Sequence, residues 1–474
     1  MKKIYSIIIL STVFTLSSIY SCDNTLDINT DPLAATSADP NAVLPFVFGE
    51  YSARKVSELG TRICDVSQYI SNTFNSPNRG AVSGTLSGNT WGVWYVSMLG
   101  NLSLVKADAA AAGPTSNNVN AIATALMANT FLELTCIWEK VPYTEALDGA
   151  NFPAPNFDDQ EVVLNGVVDL CDEAIALIDA HSTEGQFSIT PSSDMFYGGD
   201  LSKWKIFTNS LKLRALMLLR SGGANVDSQI TAVLGEELMT SNSQAAFVPY
   251  AGGPGAQSAM LGIITAFFGP DNESQNIFGP GDPIDELLNG SGDPRWDLWV
   301  ARNDLDPPGN DVFPDPETSV LSNNIIRGDL PDVLMNPSEI DLYKAELALD
   351  GFASAGSAET NYKNGIRNSI KWWGQDIPGV LALATDADID TYVDGLSAPT
   401  MDDIYNQQYL AAFNQPVLAW NHVRRNKIPV LSPPPGSSIS TILKRFTYPP
   451  DEIGNNPSTP ANVQTDVPMW FENL

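Results

Sequence analysis

Histidine is almost missing from this chain: His181 and His422 are the two in 474 residues. A metal centre of clustered imidazoles is excluded, and hydrolysis that leans on a histidine base has little to work with. Cysteine is scarce as well. Of the four present, Cys22, Cys64, Cys136 and Cys171, none has the CxxC or Cys/His spacing of a zinc site. Cys64, Cys136 and Cys171 each lie in apolar, helix-like sequence, so buried free thiols are expected over a Cys136–Cys171 bridge. Positive charge is in deficit, with 25 Lys+Arg against 55 Asp+Glu, a net charge of -30 and a pI near 4.2. Nucleic acid and anionic membrane surfaces repel such an exterior, so no nucleic-acid partner is expected. The GxSxG, HExxH and P-loop spacings do not occur. Beyond Cys22, no run reaches the roughly 18 unbroken apolar residues of a membrane helix.

The first residues carry the most specific local signal. Lys2 and Lys3 precede an apolar run from Ile4 to Ile19, and Tyr20-Ser21-Cys22 follows. A basic segment, a short apolar core and a small residue before cysteine predict a lipoprotein signal peptide over residues 1–21, with Cys22 as the lipidated N-terminus of the mature chain. Each buried methylene contributes about 0.8 kcal/mol, so two or more acyl chains make a lasting tether. The protein is then anchored to a membrane rather than spanning it.

With 43% hydrophobic residues the chain has ample core for a folded protein. Helical periodicity dominates. Val163, Val167, Leu170, Ala174 and Leu177 recur at steps of four and three, with Asp158 and Glu161 read as a capping box at the helix start. Trp204, Phe207, Leu211, Ala215 and Leu218 repeat the pattern over Leu201 to Ser221, and Gly222-Gly223 stops it. Further helices are predicted over 42–72, 91–112, 119–138, 227–239, 339–350, 359–373, 401–413 and 416–425. Ser83 to Thr90, rich in Gly, Ser and Asn, reads as a loop. Pairs such as 340–349 and 359–366 have the form of degenerate tetratricopeptide hairpins. The reading is therefore mainly α, with helical hairpins over about 40–245 and 337–425 inside one domain of residues 22–474. Pro249 to Pro337 is broken by Gly252-Gly253-Pro254-Gly255, Gly279-Pro280-Gly281-Asp282-Pro283 and Asp306-Pro307-Pro308-Gly309 into a loop-rich insertion, and long loops inside compact domains usually carry function.

A series of landmarks runs along nearly the whole mature chain. They are Leu26-Asp27-Ile28-Asn29-Thr30-Asp31-Pro32, Val141-Pro142-Tyr143-Thr144-Glu145-Ala146, Phe157-Asp158-Asp159-Gln160-Glu161, and Tyr197-Gly198-Gly199-Asp200 with Trp204. Thr208-Asn209-Ser210-Leu211-Lys212-Leu213-Arg214, Asp293-Pro294-Arg295, Ala345-Glu346, Ala419-Trp420-Asn421 with Arg424-Arg425, and Arg445-Phe446-Thr447-Tyr448-Pro449-Pro450-Asp451-Glu452 complete them. Together, and in this order, they resemble the SusD/RagB family of outer-membrane nutrient-binding lipoproteins, in its SusD-like branch. Cys136 departs from the Thr-Asp often found there, which speaks against a polar role at that position. The resemblance implies a tetratricopeptide-like scaffold with an irregular ligand-binding half. It also implies a TonB-dependent SusC-like barrel as partner, a cell-surface location on the outer membrane, and a lid that delivers ligand without chemistry on it. The ligand class it implies is an oligosaccharide, with peptide as the alternative.

Sugar rings present apolar faces and hydroxyl edges, so aromatic and planar polar side chains are the candidate ligand contacts. Trp91, Trp94, Tyr95 and Asn101 stand where the resemblance places such contacts. Trp296 lies in the loop-rich stretch, and Trp372-Trp373 ends a helix, where adjacent positions point to different faces and one ring is expected to be exposed. Trp204 and Trp420 are assigned to the core. Arg424-Arg425, Lys212 and Arg214 are assigned structural roles, offsetting helix dipoles and bridging to carboxylates. No cofactor is expected. Calcium is the one candidate, at Asp386, Asp388, Asp390 and Asp394 or at the Asp304, Asp306, Asp311, Asp315 loop, but Thr391 and Ser397 stand where an EF-hand requires Gly and Glu. A secreted glycoside hydrolase needs two carboxylates placed across a bond, for which 55 acidic residues give no specific pair. A purely protein-binding scaffold would leave the long aromatic loop region without a purpose.

Overall fold

A computed structural model describes residues 39–60, 63–72, 80–268, 278–302, 319–377, 384–433, 437–461 and 463–472. The signal segment, Cys22, the 26–32 landmark and the Asp304 to Asp315 loop lie outside them. The principal helices are α1 (Pro40–Arg54), α2 (Gly84–Gly92), α3 (Asn101–Ala112), α4 (Asn117–Trp138), α5 (Gln160–Asp179) and α6 (Leu201–Ser221). After the loop-rich stretch come α7 (Pro337–Leu349), α8 (Ala358–Lys371), α9 (Met401–Ala411) and α10 (Pro416–Asn426). The expectation of a mainly helical, hairpin-built chain holds.

The hairpins form because no helix can bury its apolar face alone. Helix α4 is the most enclosed: it is buried at every residue from Asn118 to Trp138 and packs against both α3 and α5. It is also the one helix among the described residues apolar and long enough to cross a membrane; here protein covers it completely. Helix α5 continues the stack onto α6, and α7 with α8 forms a second hairpin against α9. The 143–166 corner shows how closely the hairpins seat: the Tyr143 ring lies against Phe131 and occupies the space that any side chain at Gly166 would need.

Among the described residues, short strands lie in the stretch from Pro249 to Pro337 and at 70–72 and 246–248 before it. Ile70–Asn72 (β1), Ala246–Val248 (β2), Phe278–Pro280 (β3), Val300–Arg302 (β4), Ser319–Leu321 (β5) and Asp332–Met335 (β6) pair antiparallel as β1 with β3, β2 with β6 and β4 with β5. These strands and α7 to α10 enclose a second core around Trp299, which stacks on Phe413 at 4.1 Å and 6°, with Trp373 edge-on to both.

Several local expectations are corrected. Ser83 to Thr90 is helix rather than loop: Ser83 caps α2 by accepting from the Leu86 amide, and Ser87 donates to the Thr447 carbonyl, so tertiary contacts override weak helix formers. Helix α5 starts at Gln160, and Asp158 does not cap it. Its carboxylate instead accepts from the Tyr143 and Thr144 amides, pinning the loop that precedes the helix. Of the predicted 42–72 helix, the described helical pieces are Pro40–Arg54, Lys55–Gly60 and Ile63–Ser67, while Ile70–Asn72 is a strand, and the 227–239 helix ends at Val233. The acidic run 386–394 is a helix capped by Thr385, with Asp386 paired to Lys371 and both Asp390 and Asp394 to Arg367. That geometry does not form an EF-hand loop. Trp372 and Trp373 are both buried, against the expectation that one is exposed, because the second core closes over both faces of the π-turn at 372–376.

Candidate functional site

The predicted aromatic residues fall into three environments. Trp91 and Tyr95, one turn apart on the continuous helix of α2 and the π-helical segment Val93–Gly100, lie 4.6 Å apart between ring centres. Tyr95 is half-buried and donates to the Pro142 carbonyl at 2.6 Å. Trp91 stacks on Phe157 at 22° and stands edge-on to Trp138 and Tyr448, and its indole hydrogen-bonds the Glu452 carboxylate. Burial raises the Glu452 pKa, and the hydrogen bonds from Trp91 and Asn456 oppose that rise. Asn101 is half-buried and spends its amide on the Ser97 carbonyl; ten residues beyond Trp91, it is about 15 Å further along the helix.

Trp94 points inward. It has no exposed surface, and its indole donates to Glu133 at 3.0 Å, with the Tyr51 hydroxyl on the other carboxylate oxygen at 2.6 Å. Burial raises the pKa of Glu133. A ring so enclosed has no face to offer a ligand, and the same holds for Trp372 and Trp373. Trp296 is the outlying candidate, half-buried at the rim of the second core and next to Arg295. Arg295 is fully buried against Asp293 at 2.6 Å, with Tyr392 also on Asp293; burial acts to raise the Asp293 pKa, but Arg295 holds it below the usual range.

Sequence reasoning missed the partners of Trp91. Phe157, Tyr448 and Glu452 belong to landmarks at 157–161 and 445–452, and Pro142 to the one at 141–146, so three stretches far apart in the chain converge on one aromatic cluster. The landmark order was the signal; their meeting point was not legible from it.

The cations take the structural roles expected of them. Arg214 forms a bidentate pair with Glu339, Arg425 another with Glu346, and Lys212 reaches Asp172. Arg424 is fully buried, donating to the Cys136 and Lys444 carbonyls and lying 3.6 Å from the Trp420 ring centre. Burial lowers its pKa to about 10. Cys64, Cys136 and Cys171 are buried and not joined in disulfides, and burial pushes the Cys136 thiol up to about 11.

Paired helical hairpins, short strands around a second aromatic core, and polar side chains committed to structural pairs define a helical scaffold. The chain belongs to the SusD-like family described as "Starch-binding associating with outer membrane", whose model matches residues 36–449. Proteins of this family bind and do not catalyse, which sets the glycoside hydrolase reading aside. Among solved structures, one titled a chitin-binding protein superposes with a TM-score of 0.78 at 20% identity, covering 92% of this chain and 100% of that one. A chitin-binding SusD homolog from Flavobacterium johnsoniae gives 0.72 at 18% identity, with 91% and 97% covered. A structure from Bacteroides vulgatus titled "putative outer membrane protein, probably involved in nutrient binding" gives 0.70 at 22%, with 92% and 100% covered. Comparison with proteins of curated function finds none that matches.

Proposed function

We propose that this protein is a cell-surface lid that captures an oligosaccharide and hands it to a TonB-dependent outer-membrane barrel. The family match over residues 36–449 carries the reading, since the family binds nutrients at the outer membrane and its members pair with SusC-like transporters. Lys2 to Cys22 supports a lipid tether at Cys22, which leaves the body free to swing while staying at the barrel. A lid must hold ligand more tightly closed than open, since equal affinity shifts nothing. The glycan half of the proposal is supported by the half-buried rings of Tyr95 and Trp296, and by two structural relatives titled as chitin-binding. Asn101 is assigned as a polar contact on the same helical run.

Replacing Cys22 by serine tests the anchor. Radiolabelled palmitate is expected to mark the wild-type chain in cells and not Cys22→Ser, with the variant released from the outer-membrane fraction; equal labelling of both would rule the tether out.

Isothermal titration of residues 23–474 against neutral and acidic oligosaccharides and a peptide digest tests the ligand. Saturable binding to a neutral glycan is expected, weakened about tenfold or more in Trp296→Ala or Tyr95→Leu, the equivalent of about 1.4 kcal/mol per ring. The unfolding midpoint of each variant should stay near that of the wild type. Binding confined to peptides would overturn the substrate class while leaving the family untouched.

A further inference from the structure

Where α1, α4, α6 and α10 meet β6, a cavity of about 20 Å³ is lined by Tyr51, Lys55, Glu133, Arg214, Gln415 and Asn421 among others. Its charged groups are already answered. Lys55 pairs with Asp332 at 2.7 Å, Arg214 with Glu339, and Glu133 with the Tyr51 hydroxyl and the Trp94 indole. Gln415 is different. It is 4% exposed, and neither the oxygen nor the nitrogen of its side-chain amide has a hydrogen-bond partner. It occupies the N-cap position of α10 without making a capping bond, and the first turn of that helix, Pro416 to Leu418, lines the same cavity.

The chemistry of these groups selects the occupant. A cation would satisfy the Gln415 oxygen only, and it would face Lys55, Arg214 and the positive end of a helix. An anion would satisfy the nitrogen only, and it would face the Glu133 carboxylate with Asp332 and Glu339 behind the two cations. An orphan donor and an orphan acceptor on one side chain call for a small neutral species that both donates and accepts. The volume admits a water. We propose that this cavity is a binding site for a buried water held by Gln415, which completes the N-terminus of α10 and joins it to the helices around Glu133. The joint matters for the scaffold because α10 also carries Arg424 and Arg425, whose hydrogen bonds reach Cys136 and Glu346 on two different hairpins.

Crystals of the mature chain diffracting to about 1.5 Å, native and soaked in bromide, would decide the identity of the occupant. A water-sized peak within hydrogen-bond distance of the Gln415 amide and without anomalous signal is expected. An anomalous bromide peak there, or no density at all, overturns the proposal. The near-isosteric Gln415→Met should lose the peak and lower the thermal midpoint by about 2 °C. A variant as stable as the wild type, or more stable, means that the glutamine was unsatisfied, which overturns it as well.

Discussion

Arg214→Leu is expected to lower folding stability by about 3–5 kcal/mol, read as a shift of the urea midpoint at unchanged slope. Arg214 is 4% exposed and Glu339 2%, and the two exchange paired hydrogen bonds at 2.6 and 2.5 Å, with the Leu334 carbonyl taking a third at 3.2 Å. Removing the guanidinium leaves a carboxylate buried away from bulk solvent and without its counter-ion. The loss comes mainly from that stranded charge rather than from the net value of the pair, because burying both ions was costly in the first place. The double variant Arg214→Met with Glu339→Leu should therefore recover most of the loss. A single variant that loses less than about 1 kcal/mol, or a double that is no better than the single, would show that bulk solvent reaches the pair.

Asp341→Asn is expected to stabilise the protein by about 2–4 kcal/mol at pH 8 and to leave it unchanged at pH 3.5, following 1.36 kcal/mol per pKa unit. Asp341 sits on α7 facing α8, is 3% exposed, and receives a hydrogen bond from the Asn368 amide at 2.8 Å. Burial raises its pKa to about 7, with Asn368 and Lys344 only partly offsetting the rise from the ordinary 3.8. The folded chain then binds this proton more tightly than the unfolded chain. Its contribution to stability is fully present below about pH 3.8 and is lost as pH rises through 7. Asparagine keeps the shape and the acceptor for Asn368 without the charge. Denaturation midpoints for both proteins across pH 3.5 to 8 provide the check, and parallel curves would show that folding leaves the Asp341 pKa unshifted.

Composition and periodicity determined a great deal of this protein. The repeats of three and four in 160–179 and 201–221 required amphipathic helices, and those helices had to pair to cover their faces. Two histidines and unspaced cysteines set a limit on chemistry, and the ordered landmarks fixed the family. Trp204 and Trp420 were legible as core because their neighbours alternate with polar residues at helical spacing, and both are fully buried.

What the tertiary structure alone decided is which aromatic rings keep a free edge and which charges lose water. Trp91 and Trp94 are three residues apart on one helix, yet one joins a cluster drawn from 157 and 448 while the other turns to Glu133. Trp372 and Trp373 point to different faces as helix geometry demands, but protein lies on both sides, so neither is free. Ser83 to Thr90 is helical because Thr447, far along the chain, accepts from Ser87. Local sequence fixes the direction of a side chain relative to its own backbone. Whether it meets solvent, a partner or another ring depends on segments hundreds of residues away, and only the folded chain brings those together.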